Sequence, residues 1–407
     1  MKTGIEISDI LLPKTDDYSA FAVVACDQFT SDGEYWETLK KLTAGKLTML
    51  DMMLPEYYLN GNDTDERIKT INANIDKYSK NTIVVKEGMI LSVRGITGNR
   101  QRIGLITVVD LEEYDYKKGS KSLIRATEAT IADRIPPRLK IRKDAPMEFP
   151  HVLVFIDDEK REIIEPLYQN KEGFDKLYDF ELNMNGGHIV GYKVPNPSAV
   201  KEKFTALINK DRLIQKYGED YPFAMAVGDG NHSLATAKAH WENIKKNLPD
   251  SELINHPARF ALVEIINIYD DGVVFEPIHR IVKGVNKEKF ALGFEKIIHG
   301  KETLFMGDNS YAYNGELSVP ESIIKVDEYV KAYIEKFGGE VDYVHGDLET
   351  KEKVTSSNDA VAILFNPIDK STLFPYVVKG GCLPKKTFSI GEGRDKRYYL
   401  EGRKITK

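Results

Sequence analysis

A chain of 407 residues holds roughly two to three domains and can bury a core without disulfide or metal staples. With 42% apolar and 29% charged residues it has a globular, water-soluble composition and lacks the bias of a disordered or collagenous chain. A formal net charge of −6 argues against a nucleic-acid partner, which is normally met by a basic domain or stripe.

The opening segment, MKTGIEISDILLPKTDD, has no apolar stretch of the kind that marks a secretory signal. The longest apolar runs, at Phe260–Ile268 and His151–Ile156, fall far short of the roughly 20 residues a bilayer helix needs, so no membrane contact is expected. The two cysteines, Cys26 and Cys382, form no CxxC and support neither a disulfide framework nor a thiolate zinc site. The expected setting is the reducing cytoplasm.

In chain order, Phe21–Ala25 reads as a strand that delivers the polar pair Asp27 and Gln28 at its end, unless these only form a helix-entry turn. Ser31 and Glu34 form a capping box ahead of Tyr35, Trp36, Leu39 and Leu42, and Ile68, Ile71, Ile75 and Tyr78 mark one face of a second helix. Strands follow at Thr82–Val85, Met89–Val93 and Ile103–Val109, the first two joined as a hairpin by Lys86, Glu87 and Gly88. From Lys117 to Lys143 nine basic residues, Arg125, Arg134 and Arg138 among them, face two acidic ones; this is either a solvated basic face or an anion site. Pro136, Pro137, Pro146 and Pro150 punctuate that stretch and suggest a boundary near 145.

Beyond it the reading gives strands at Val152–Ile156, His188–Val194, Phe223–Val227, Phe260–Ile268 and Ala360–Phe365. Helices are expected over Ser198–Tyr217, Lys287–Ile298 and Ser322–Phe337. The order is mixed rather than strictly alternating, which gives an α+β class with mixed sheets and flanking helices. No repeat of 20 to 50 residues is visible.

The segment that carries chemistry is VGDGNHSLATAKAHW, Val227–Trp241. It reads as strand, glycine turn and helix, with Leu234, Ala237, Trp241 and Ile244 on the inward face. Gly228 and Gly230 permit close backbone approach, and the free amides at the helix start favour an anion. Asp229 adds a hard oxygen suited to Mg²⁺, and His232 sits where it can contact phosphate or move a proton. The segment is neither a Walker loop nor a GxGxxG fingerprint, since Ser233 holds the final position. An incidental tight turn is the alternative.

Other candidates are weaker. His279 and Arg280 can hold a second anionic group or simply pack, and Gly186, Gly187 and His188 read first as a hairpin device. The histidines at 151, 240, 256, 299 and 345 show no metal-ligand spacing and read as ordinary polar side chains.

Five blocks, VACDQFTSDGEYW, SLIRATEATIADRIPPRLKIR, VGDGNHSLATAKAHW, HPARFALVEIINIYDDGVVFEPIHR and LPKKTFSIGEGRDKRYYLEGRK, resemble the bacterial domain-of-unknown-function family numbered 1015 over almost the whole chain. The glycine-aspartate-glycine-x-histidine turn also resembles the signature of the superfamily of sulfiredoxin, the ParB nucleotide domain and free serine kinase, in which that turn binds nucleotide phosphates. The resemblance implies Gly228, Asp229, Gly230, Asn231, His232 and Ser233 as phosphate contacts. The relatives commonly carry a second His and an Arg after the glycine, where this chain has Asn231, His232 and Ser233, and Arg125 is the candidate replacement for that charge. Sulfiredoxin's cysteine has no counterpart in the turn.

These readings imply an N-terminal α+β domain over 1–145 with the basic segment, a ParB/sulfiredoxin-like domain over 146–285 with the turn, and a C-terminal α+β domain over 286–407. The implied function is that of a nucleotide- and phosphate-binding enzyme, a phosphotransferase of the serine-kinase kind. It would use ATP or ADP with Mg²⁺ on a small-molecule substrate, with His232, Asp229 and Arg125 as the catalytic groups. The alternative is a non-catalytic nucleotide- or metabolite-binding regulator.

Overall fold

The computed structural model describes residues 2–59, 61–128, 135–218, 221–307 and 309–407. It divides into two compact units, one of Met1–Val273 with Val377–Gly381 and Gly391–Lys407, the other of Val274–Tyr376 with Cys382–Ile390. Residue 145 falls within the first unit, whose main sheet takes strands from both sides of it, and residue 285 falls just inside the second. The class is mixed α and β, with several sheets.

The main sheet of the first unit has ten strands among the described residues. They are β1 (Ile5–Glu6), β2 (Ile90–Ile96), β3 (Arg100–Asp110), β4 (Tyr114–Asp115), β5 (Ile124–Ala126), β6 (Leu153–Ile156), β7 (Asp175–Leu182), β8 (Gly187–Lys193), β9 (Met225–Asp229) and β10 (Phe260–Asn267). Their order is β7-β8-β2-β3-β10-β6-β9-β5-β4, with β1 beside β3. Pairing is antiparallel from β7 to β10, parallel between β10 and β6, antiparallel between β6 and β9, and parallel from β9 through β5 to β4. Strand β9, covered on both edges by β5 and β6, therefore reads as a continuous apolar run, and Met225, Ala226 and Val227 are fully buried.

Helix α1 (Gly33–Thr43) buries Trp36 and Leu39, and α2 (Thr64–Ser79) buries Ile68, Ile71, Ile75 and Tyr78. Helix α3 (Ile135–Arg142) packs against α4 (Asn231–Lys245), which follows β9. In the second unit a smaller sheet packs its Val282, Leu304 and Ile363 against Ile323, Val326 and Val330 of α5 (Val319–Phe337). Among the described residues no helix is long and apolar enough to cross a membrane.

Four local expectations need correction. The hairpin through Lys86-Glu87-Gly88 does not form: Thr82–Gly88 pairs with Ser8–Pro13, and β2 pairs with β3 instead. Gly98 and Asn99 take the positive φ that a tight turn requires, whereas only Met89 separates Gly88 from β2. The cap of α1 is Asp32, whose carboxylate accepts from Tyr35 N, rather than Ser31. Phe21–Ala25 is buried but makes only an isolated bridge, Val24 to Arg397, after a helical turn at Tyr18–Phe21. The helix over 198–217 is broken into Pro197–Lys203, a 3₁₀ turn at Phe204–Ile208, and Lys210–Tyr217, because Asn209 caps a new start by accepting from Arg212 N.

Candidate functional site

The turn after β9 is shaped by its two glycines in different ways. Gly228 interrupts the register of β9 against β6, and a Cβ there would lie 2.3 Å from Phe155 Cε2. Gly230 takes φ +75° at the start of α4, and a Cβ on it would stand 3.0 Å from the Val152 Cα. The inward face of α4 is as expected, with Leu234, Ala237 and Trp241 buried and Ile244 partly so. Packing therefore fixes the helix, and its first turn is held against β6 while no side chain caps it.

Three segments distant in sequence complete the surroundings. The C-terminal run returns to pair with the extended segment after Phe21, Ala25 N donating to Lys396 O at 2.8 Å and Tyr398 N to Val23 O at 2.9 Å. This sets Lys396 beside the turn, its Nζ 2.9 Å from Asp229 Oδ2. Burial opposes the charge on Lys396, but the carboxylates of Asp229 and Asp27 outweigh it and raise its pKa above the usual lysine value. Burial likewise opposes charge on Asp27, yet the His151 and Lys396 charges and a hydrogen bond from Gln28 Nε2 at 2.9 Å hold its pKa below the usual carboxylate range. His151, just ahead of β6, has Nε2 3.3 Å from Ser233 Oγ and sets its ring edge-on to Tyr398 at 4.9 Å. The amide oxygen of Asn231 is buried without a hydrogen-bond partner.

The turn residues expected to act together are thus consecutive at one strand-to-helix junction, with His232 and Ser233 half-buried in the first turn of α4. Arg125 is not brought to them. It lies on β5 opposite Ala226, and its guanidinium turns back over the Phe223 ring, Nε donating to Ser122 O at 2.9 Å and Nη2 to Pro222 O at 3.3 Å. Those carbonyls sit just ahead of the parallel strands β5 and β9, at the end opposite the turn, and the cation found beside the turn is Lys396. Asp229, the expected Mg²⁺ ligand, has both carboxylate oxygens engaged at the turn. Oδ1 accepts from Gly230 N at 2.8 Å and Oδ2 holds Lys396, and among the described residues no group of three or more His, Cys, Asp or Glu is disposed to hold a metal ion.

Three of the nine cations of the basic segment are paired within the fold, Arg138 with Glu56, Lys140 with Asp65 at 2.5 Å, and Arg142 with Glu148 at 2.6 Å, while Arg134 lies outside the described residues. His279 and Arg280 are fully buried. His279 Nε2 meets Asp347 at 2.9 Å and Nδ1 accepts from Phe365 N; Arg280 forks onto Asp327 and donates to the carbonyls of Ile278, Lys385 and Lys386. They pack the second unit rather than present an anion site. Gly187, at φ +83°, serves the turn between β7 and β8. Cys26 and Cys382 are free thiols. Burial pushes the Cys26 thiol up to about 12, which leaves it protonated and inert as a nucleophile.

Among solved structures the chain is similar to a conserved hypothetical protein from Pyrococcus furiosus, at 12% identity over 70% of this chain and 89% of that one, with a TM-score of 0.36. It is similar at 12% identity to C-terminally truncated SbnI from Staphylococcus aureus, over 70% and 82% of the two chains with a TM-score of 0.36. It is similar at 14% identity to free serine kinase in complex with AMP, over 74% and 92% with a TM-score of 0.38. No curated protein matches the chain. The family model described as protein of unknown function, DUF1015, matches residues 8–333, most of the chain, and the protein belongs to that family.

Proposed function

We propose that the turn from Gly228 to Ser233 binds the phosphate of a nucleotide such as ATP or ADP, and that the protein is an enzyme transferring a phosphoryl group to or from a small molecule. The observation that carries this reading is the uncapped start of α4, whose amides stand beside the Lys396 ammonium at the Asp229 carboxylate. The positive helix end favours a bound anion. Ser233 Oγ and the Asn231 amide add neutral polar groups in the first turn, and a half-turn of that amide would present its N–H₂ to a phosphate oxygen. Asp27, kept ionised by the His151 and Lys396 charges, is suited to accept a hydrogen bond from a substrate hydroxyl. His232, second in the helix, would contact the phosphate or move a proton. The motif's likeness to phosphate-binding turns points the same way.

The test is thermal unfolding with ATP, ADP or CTP. At ligand well above its dissociation constant a site of this kind raises the transition by a few degrees, roughly what 2 to 3 kcal/mol of binding linkage produces. His232→Ala and Lys396→Met should reduce the rise. No rise with any nucleotide overturns the reading. A rise without transfer or hydrolysis, followed by phosphorus NMR, identifies the non-catalytic regulator instead.

A further inference from the structure

A cavity of about 170 Å³ opens on the side of the turn that carries Ser233 and His151. Its walls are mainly apolar, with Met49, Met52, Met53, Leu54, Met147 and Phe149 prominent. The charged groups that border it are already matched, Arg138 to Glu56, and Arg142 and Arg403 to Glu148. Cys26 adds a protonated thiol, which behaves as a small apolar group. Its turn end carries Ser233, His151 and Thr236, with Ser233 Oγ and His151 Nε2 3.3 Å apart and the Thr236 hydroxyl donating to His232 O at 2.7 Å.

We propose that this cavity receives a compact apolar group, the size of one six-membered ring, belonging to a ligand whose phosphate lies on the Gly228–Ser233 turn. The inference rests on the phosphate-binding reading above and concerns the small molecule that carries the transferred phosphate, not the nucleotide. Size decides the class: an apolar cavity of about 150 Å³ holds one benzene, whereas drug-sized molecules occupy pockets of roughly 300 Å³ and more. A nucleoside therefore overfills the space, and a single branched or aromatic group matches it. Methionine walls adapt to such a group without a polar partner. Matching of the bordering charges argues against a second anionic head, because an anion there would have to break a buried pair.

The experiment uses the full chain and calorimetric titration with phenyl phosphate and with methyl phosphate. Phenyl phosphate is expected to bind about tenfold or more tightly, and filling the cavity by Ala237→Leu should remove that preference. Ala145→Leu, which fills it from another wall, provides the same readout if the first variant fails to fold by circular dichroism. Equal affinities for the two esters, or a preference that survives both fillings, overturn the cavity assignment while leaving phosphate binding at the turn intact. If neither ester binds while a nucleotide still raises the unfolding transition, the ligand proposed here is overturned and the phosphate reading stands; if nucleotides fail as well, the phosphate reading fails. Fluorine NMR of fluorobenzene then decides the cavity on its own: saturable broadening abolished by Ala237→Leu supports an apolar occupant, and no broadening overturns it.

Discussion

Lys396 Nζ and Asp229 Oδ2 lie 2.9 Å apart, with both side chains about four-fifths buried, so the C-terminal run and the turn after β9 are joined by one ion pair. The pair is stabilised on the lysine side, since Asp229 and Asp27 raise the pKa of Lys396 despite its burial. Lys396→Met leaves Asp229 largely out of water without its cation and should lower stability by about 1 to 3 kcal/mol in denaturant unfolding. Lys396→Arg keeps the charge and should recover part of the loss. An unchanged midpoint for Lys396→Met would show that the pair contributes nothing to the fold.

The two turn glycines predict different rescue behaviour. At Gly228 the obstacle is a side chain, since an added Cβ would meet the Phe155 ring at 2.3 Å. At Gly230 it is the backbone, held at φ +75° with Val152 Cα 3.0 Å from an added Cβ. Gly230→Ala should cost about 1 to 2 kcal/mol whatever surrounds it. Gly228→Ala should cost at least as much, but pairing it with Phe155→Leu should destabilise by less than the sum of the single changes. Additive losses at 228 in a double-mutant cycle would show that the ring is not the obstacle.

The local part of the site was legible because its signals are local. A strand, two glycines and a helix with apolar residues at spacings of three and four can be read within fifteen residues, and α4 buries Leu234, Ala237 and Trp241 as that spacing requires. Lys396 was not legible, because its place depends on the pairing of residues 23–25 with 396–398, which no short-range pattern encodes. The same holds for His151, which looked like any polar histidine until β6 set it against Ser233. Arg125 misled for the converse reason. A basic residue in a basic segment invites an anion, yet it sits on a buried strand where backbone carbonyls and the Phe223 face absorb its donors. The quoted C-terminal block GEGRDKRYYLEGRK did contain Lys396, but carried no spacing that would tie it to residue 229.

Beneath the sheet, the Tyr399 hydroxyl is the shared node of a buried polar network. It accepts from Arg102 Nη2 at 2.8 Å and Arg94 Nη1 at 3.2 Å and donates to Glu264 Oε2 at 3.2 Å, while Ser92 Oγ donates to Glu264 Oε1 at 2.7 Å. Tyr399→Phe keeps the ring and removes only the node. It should cost about 1 to 3 kcal/mol in denaturant unfolding, because both guanidiniums are almost wholly buried and lose an acceptor that water does not replace. Tyr57→Phe, at an exposed ring, should change stability by less than about 0.5 kcal/mol. Equal effects at the two positions would show that the network adds nothing beyond packing.

Glu401, in contact with the Tyr178 hydroxyl at 2.5 Å, has its carboxyl pushed up from 4.5 to about 7 by burial. A carboxyl raised in this way holds its proton in the folded chain after the unfolded chain has released it. Its contribution to stability is therefore complete below about pH 4.5 and is lost as pH rises through about 7. Glu401→Gln keeps the shape and cannot ionise, so the variant should gain on the native protein between pH 5 and pH 8 by an amount on the order of 3 kcal/mol at most. Unfolding midpoints of both proteins across that range test this. A difference that stays constant with pH would show that Glu401 does not titrate there, and a native protein that gains on the variant toward pH 8 would reverse the sign of the shift.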